Sequence, residues 1–281
     1  MTPTAVAALL LAAAAQQALP TAAQADFRLE GPAIQGGLVR GQAPSGTIRL
    51  SIAGETVPLG LDGSFVIGFD RDQGPAASLV AELADGRTVE RPIAVAPRSW
   101  RIERIDVARR PGGIGDEEYR VRREAELARI RAARSLRSDA QGWRQSFVWP
   151  SHGRVSGRFG SQRVYRGVAA AFHSGVDLAA GAGAPVVAPA DGVVVLAGPP
   201  MFSLEGNLVI IDHGHGLNSA FLHLASSEVA VGQSVRRGQR VGTVGATGRA
   251  TGPHLHWSLM WNGARLDPEL LAEQSPGAAG K

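Results

Sequence analysis

The stretch 251-TGPHLHWSLMW-261 decides how this chain is read. In a strand, residues two apart face the same side. His254 and His256 therefore present both imidazoles to one face, while Leu255 and Trp257 point to the other, packed side. Pro253, with the Ala-Thr-Gly and Thr-Gly steps before it, supplies a turn that starts the strand. The chain has only seven histidines, and two of them occupy alternate positions here. Packing accounts for one buried histidine better than for two side by side, so the pair points to a shared site.

Six of the seven histidines fall in three groups within the second half of the chain. His173 stands four residues before Asp177 in HSGVD. His213, His215 and His223 lie in HGHGLNSAFLHL. His254 and His256 are the third group, and only His152 stands apart. The chain has no cysteine, which excludes disulfides, cysteine-based zinc sites and cysteine nucleophiles. A metal must then be held by His, Asp, Glu or backbone oxygen. His173, Asp177 and one of the 254/256 pair make a two-histidine, one-carboxylate set with a position left open. A metal there polarises a carbonyl and activates water, and a spare imidazole orients that water or steadies an oxyanion. His223 is the natural candidate from the neighbouring strand.

The surroundings of these groups are strand-like. PVVAPADGVVVLAG, NLVIIDHG, SAFLHLA, SVRRGQRVGTVG and HLHWSLMW alternate or run apolar between glycines, with no long helical pattern between them. Residues 146–270 read as an antiparallel β domain. Residues 26–98 also read as β: GTIRLSIAG, ETVPLGLDGSFVIGF and ASLVAELADGRTVERPIAV carry Asp-Gly turns, predicting a small β-sandwich-like domain without histidine. Its expected role is support, docking or coverage of the site. Between them, 99–145 reads as a linker. It holds a charged RIERIDVARR, a PGGIGD break and a helix at about 117–139 rich in Arg, Glu and Ala. Val121, Leu127 and Ile130 offer that helix a partial apolar face. The fold class is thus mostly β, with a helical linker, and residues 271–281 read as a flexible tail.

The N-terminus reads as an export signal over residues 1–25. AVAALLLAAAAQQALPTAAQA is apolar and ends in Ala23-Gln24-Ala25, a small-x-small cleavage pattern. Gln16, Gln17 and Pro20 leave the run short for a membrane span, and no later segment resembles one. The mature chain is expected to begin at Asp26 and work outside the cytoplasm. The 281 residues and 44% hydrophobic content suffice for substantial cores. A net charge of +4 suits an acidic polymer or surface. It does not argue for nucleic acid, because no basic stripe interleaved with aromatics appears.

FHSGVDLAAGAGAPVVAPADGVVV, GNLVIIDHGHGLNSAFLHL, VGQSVRRGQRVGTVGATGRATGPHLHW and LDP together resemble the LytM/lysostaphin-type zinc metallopeptidases, the M23 peptidase family, over residues 148–270. The resemblance implies an endopeptidase acting on the stem peptides or bridges of bacterial peptidoglycan. It implies Zn2+ on His173, Asp177 and His256, with His254 and His223 as the catalytic or oxyanion-stabilising histidines. Ser219 and Phe221 stand where the family usually has Thr and Tyr. Asn207 and His213 match support positions, and His215 and His152 match no ligand role. Arg158 and Arg163 are placed to meet substrate carboxylates or internal ion-pair partners. The β-rich N-terminal part, more loosely, resembles periplasmic Gram-negative members. Some relatives lack the ligands and act as activators of amidases; here all three ligands and both helper histidines are present. A non-enzymatic regulator docking a cell-wall enzyme and a general metalloprotease acting on protein are the alternative readings, with a monomer as the default state.

Overall fold

The computed structural model describes residues 26–106 and 117–273. The export segment at 1–25 and the PGGIGD break lie outside the described residues. Two small sheets form from the N-terminal residues. One is ordered Arg28–Glu30, Leu38–Gln42, Ser64–Gly68, and the other Glu55–Thr56, Thr47–Ile52, Ala76–Leu83, Thr88–Ala94. Buried and open positions alternate around Leu79 and Ala81 in Ala76–Leu83, as a half-buried strand requires, whereas Phe65, Val66 and Ile67 in Ser64–Gly68 are all fully buried.

The C-terminal part is built on a ten-stranded sheet. Its central run places Asn207–Asp212 beside Leu217–Ser227, then Leu255–Trp261, then Val176–Ala179, then Arg154–Gly157, all antiparallel. Leu255, Trp257 and Leu259 on one strand and Leu217 and Phe221 on the next turn into the core. The opposite face of the same strands carries His256, Ser258, Ala220 and Leu222. This division of faces is what lets one sheet hold both a core and a site.

The RIERI segment, read as linker, forms the strand Ile102–Ile105. It lies parallel to Gln162–Tyr165 in a separate three-stranded sheet. The helix runs Glu117–Ser135, with Glu117 and Glu118 in its first turn and Arg134 in its last, signs that suit the helix dipole. It stops short of 139: the Ser138 amide and hydroxyl both donate to the Asp212 carboxylate at 2.8 and 2.7 Å, which draws the chain onto the sheet. Ile130 and Ala133 pack on Leu208, Ile210, Phe202 and Ala220. Val121, expected on that apolar face, is exposed, and Leu127 is only partly covered. Polar contacts seat the rest of the helix. Arg123 donates to both oxygens of Glu205 at 2.7 Å, and the Ser203 amide and hydroxyl donate to Glu126 at 2.8 and 2.6 Å.

One apolar cluster runs from the N-terminal sheets into the large sheet without interruption. Leu266 packs against the Gly68 backbone at this junction. Arg40 donates to the carbonyls of Trp143 and Gln145 at 3.0 and 2.6 Å, and Arg98 pairs with the buried Asp267 at 2.8 Å. At the far end the chain stays attached through 273, inside the segment read as tail. Ala272 bridges to Phe147, and Glu273 pairs with Arg237 at 2.7 Å. No helix among the described residues is long and apolar enough to cross a membrane.

Candidate metal centre

Three elements bring the ligand-type side chains together. Val176–Ala179 lies antiparallel to Leu255–Trp261 with Asp177 directly opposite His256. His173 sits in the loop before Asp177, where its amide donates to the Ser161 carbonyl and its own carbonyl accepts from Gly160, both at 2.8 Å. The result is a triangle of donor atoms. His173 Nε2 is 3.0 Å from Asp177 Oδ1 and 3.1 Å from His256 Nδ1, and His256 Nδ1 is 2.8 Å from the same Asp177 oxygen. A tetrahedral zinc site with bonds of about 2.0–2.1 Å has ligand–ligand edges of about 3.3 Å, close to this triangle. The donor set fits the metal chemically as well. Two imidazole nitrogens facing each other and one carboxylate oxygen leave a shared lone-pair focus that a cation satisfies better than a proton. Among the described residues, this trio is the group of His, Asp and Glu side chains close enough to hold an ion.

The ligand-type side chains are held from behind. His173 Nδ1 lies 3.1 Å from the Arg158 carbonyl, which can only accept, so Nδ1 carries the proton and Nε2 faces the trio with its lone pair. Burial opposes charge on His173, but the bond and charge of Asp177 and the Arg158 carbonyl outweigh it and raise its pKa. Burial pushes Asp177 up, yet the hydrogen bonds and charges of His173 and His256 hold it well below the usual carboxylate range. His256 is pushed down, chiefly by burial. Two glycines make room for this packing. A Cβ on Gly157 would stand 2.4 Å from Asp177 Oδ2, and one on Gly175 would stand 2.3 Å from the Trp257 carbonyl and 2.8 Å from His256 Nε2.

Two further histidines flank the trio. His254 Nε2 is 3.9 Å from Asp177 Oδ1, and its Nδ1 is 2.9 Å from the Gly252 carbonyl. The His223 and His254 ring centroids are 4.8 Å apart, and His223 is 6.4 Å from the His256 ring. His223 Nδ1 lies 2.8 Å from the Thr247 carbonyl. In both flanking rings Nδ1 must donate to a carbonyl, so Nε2 is the free, basic nitrogen. Burial lowers the pKa of His223, which keeps it neutral near pH 7.

The route by which His223 reaches the site is a backbone device. Ser219 and Phe221 point to the core side of Leu217–Ser227, and strict alternation would send His223 there too. Instead the pairing with Asn207–Asp212 slips between Phe221 and Leu224, and His223 adopts φ of 65°. This bulge returns Leu224 to the core and gives His223 to the site. A left-handed non-glycine residue costs about 1–2 kcal/mol, and such strain concentrates at functional positions.

The remaining histidines take other places. His213 is fully buried. Its Nδ1 donates to the Asp191 carbonyl at 2.8 Å, and its Nε2 accepts from the Ser219 hydroxyl at 2.7 Å. That hydroxyl also accepts from Trp257 Nε1 at 3.4 Å, so Ser219 joins the support layer behind the metal strand. The Phe221 ring is wholly inside the core. His215 stacks on Trp143 with centroids 4.0 Å apart, and His152 is exposed. Asn207 donates to the Leu224 carbonyl at 3.0 Å, bracing the bulge. Arg158 and Arg163 are taken by Glu269 and Glu103.

The trio sits between two cavities. One, of about 1030 Å3, includes His173, Asp177, Phe159, Phe172 and Trp100 in its wall. The other, about 520 Å3, lies beneath the Glu117–Ser135 helix and begins at His256 and Ser174. Sequence reasoning did not place the helix, Trp100 or Phe172 beside the site.

The model of peptidase family M23 matches residues 171–268. The chain is 41% identical over 120 residues to peptidoglycan DD-endopeptidase ShyA of Vibrio cholerae, covering 42% of this chain and 27% of that protein. It is 42% identical over 105 residues to the DD-carboxypeptidase/endopeptidase Mpg of Neisseria meningitidis, covering 37% of this chain and 24% of that one. The chain thus spans about a quarter of the length of these curated relatives. A crystal structure from Pseudomonas aeruginosa, solved as a candidate M23 peptidase, superposes with a TM-score of 0.65 at 31% identity, covering 86% of this chain and 96% of that one. The match to that structure extends well beyond the metal-site strands into the N-terminal sheets, and on this combined likeness the chain belongs to peptidase family M23.

Proposed function

We propose that the protein is a zinc-dependent endopeptidase that hydrolyses peptide cross-links of bacterial peptidoglycan. The observation that carries this reading is the convergence of His173 Nε2, Asp177 Oδ1 and His256 Nδ1 within about 3 Å of one another, at a point between two cavities. A chain lying from one cavity to the other crosses the trio with a bond exposed on either side, as cleavage within a peptide requires. The peptidoglycan activities named for the relatives support the choice of substrate.

In this reading His173, Asp177 and His256 hold the zinc, which supplies a Lewis acid for the scissile carbonyl and makes water acidic enough to act near neutral pH. His223 and His254 do the proton work. Each holds its Nδ1 proton against a carbonyl, at Thr247 and Gly252, so each offers Nε2 toward the reacting atoms. As a base, one Nε2 takes the proton of the attacking water. Once protonated, an Nε2–H donates to the carbonyl oxygen as it gains charge or to the departing amine. Their rings are close enough to each other to serve one bond. The chemistry of residues 1–25 supports export, and with the Gram-negative relatives it supports a periplasmic site of action.

The test is mass analysis of fragments released from defined cross-linked muropeptides by the purified protein, with and without a chelator, beside a casein digest. Chelator-sensitive release of uncross-linked peptides is expected, with casein left intact. Release of no fragment by zinc-loaded protein would sink the reading in favour of a regulator. Casein cleavage would instead make the protein a general protease.

A further inference from the structure

The cavity beneath the helix runs from Ser174 and His256 to Arg134 and Arg265, over an apolar floor that includes Leu208 and Leu222. Arg134, in the last turn of the helix, is half-buried there. It donates one hydrogen bond, to Asn218 Oδ1 at 2.7 Å, and forms no ion pair among the described residues. The acidic group it feels, Glu205, is already engaged by Arg123 through both oxygens. Burial lowers the Arg134 pKa to about 10, and the charge of Arg265 pushes it the same way. Arg265 stands with its guanidinium 5.3 Å over the ring of Phe172, the residue next to His173.

Arg134, half-buried, and Arg265, exposed, thus line one cavity, and the carboxylate in its wall, Glu205, is held by Arg123. Desolvation and like-charge repulsion both count against folding. On the other side of the trio three of the lining arginines pair with carboxylates: Arg98 with Asp267, Arg158 with Glu269 and Arg163 with Glu103. Arg131 and Arg137 also line this cavity without an ion pair among the described residues, but both are exposed; Arg134 differs in being half-buried, and Arg265 is the cation whose charge acts on it. His256 belongs both to the trio and to the wall of this cavity, so an occupant lies beside whatever is held at the metal trio. Its floor suits aliphatic side chains, and guanidinium groups suit carboxylates.

We propose that Arg134 and Arg265 form a carboxylate-binding subsite on the helix side of the metal centre, selecting peptides that carry a free carboxylate there. This rests on the peptidase reading given above, and it names the chemistry by which one arm of the substrate is chosen. Both arginines are specificity residues and neither takes part in bond cleavage.

The experiment is calorimetric titration of the zinc-loaded full chain with two tetrapeptides of the peptidoglycan stem, identical except that one has its carboxylates free and the other amidated. The free acid is expected to bind about tenfold tighter, as a charge-assisted contact predicts. Arg134→Met and Arg265→Gln are each expected to remove most of that preference while leaving zinc content and binding of the amide unchanged. Arg134→Met is also expected to keep or raise Tm, because an unpaired, partly buried cation gives way to an apolar chain of similar length. Equal binding of acid and amide by the natural protein would overturn the proposal. So would an undiminished preference in the double variant, or a lower Tm in Arg134→Met with preference intact, which would make Arg134 structural. Should Arg134→Met not fold, Arg265→Gln decides alone, since that side chain is exposed. Hydrolysis of cross-linked muropeptides is scored separately. Acid preference without hydrolysis sinks the endopeptidase reading and keeps the subsite, and hydrolysis without preference does the reverse.

Discussion

His254 Nε2 and His256 Nδ1 approach the same oxygen of Asp177, at 3.9 and 2.8 Å, from positions two residues apart on one strand. The difference of about an ångström separates their positions relative to the donor triangle. His256 completes the donor triangle with His173, whereas His254 stands outside it beside His223. Replacing His256 by Ala is therefore expected to cost both zinc and turnover. Replacing His254 by Ala is expected to leave zinc bound while kcat falls by about 10²–10⁴. Metal analysis of the purified variants, run beside hydrolysis, checks this. Full zinc occupancy in His256→Ala would contradict the ligand assignment.

His223 gives a prediction that separates stability from activity. Its φ of 65° suits glycine far better than any side chain with a Cβ. His223→Gly is expected to be more stable than His223→Ala by about 1 kcal/mol, and both are expected to lose most turnover with zinc retained. Urea melts and metal analysis of the two variants test it. Equal stabilities would mean the bulge relaxes when the imidazole is gone.

The buried His213 predicts an acid-side loss of stability. It is neutral in the fold, with burial pushing its pKa down to about 4 against an ordinary value near 6.5. Between those values the unfolded chain binds a proton that the folded chain refuses, so stability is full above pH 6.5 and declines as pH falls. The loss should reach about 2–3 kcal/mol by pH 4.5. Unfolding free energies of the metal-free protein, compared with His213→Gln from pH 7 to 4.5, isolate this group from the metal-site histidines. Parallel curves for the two proteins would show that His213 does not titrate in this way.

How much of this was legible beforehand follows from range and regularity. Alternation at 254–257 was enough to put two imidazoles on one face and Leu255 and Trp257 in the core, because that strand is regular from end to end. His173 and Asp177 were visible as a short-range pair. The placement of His223 was not derivable from period alone, since the bulge between Phe221 and Leu224 breaks the very rule being applied. Ile102–Ile105 read as linker because its partner strand lies far along the chain and its side chains are charged. The helix was visible from its composition, but its seat was not. That seat depends on Arg123 meeting Glu205 and on Glu126 accepting from Ser203, contacts with no periodic signature. The unpaired state of Arg134 depends in turn on that seat.

Gly157 supplies the last prediction, because it tests the site through a residue that is neither ligand nor base. It lies opposite Asp177 on the neighbouring strand, and a Cβ there would stand 2.4 Å from Oδ2 and 3.0 Å from Cγ of that aspartate. A contact so short cannot persist, so the carboxylate must swing away from His173 and His256. The lost ligand geometry, not any change in charge, is then expected to weaken zinc binding by about 10–100-fold in Gly157→Ala. Gly183→Ala is the control: that glycine has no neighbour near its missing Cβ, and although its φ of 80° costs some stability, the metal trio is untouched. Competition of each variant with a fluorescent zinc chelator measures the affinities directly. Equal zinc affinities for Gly157→Ala and the natural protein would show that Asp177 tolerates displacement, and its place as a geometric ligand would fall with that result.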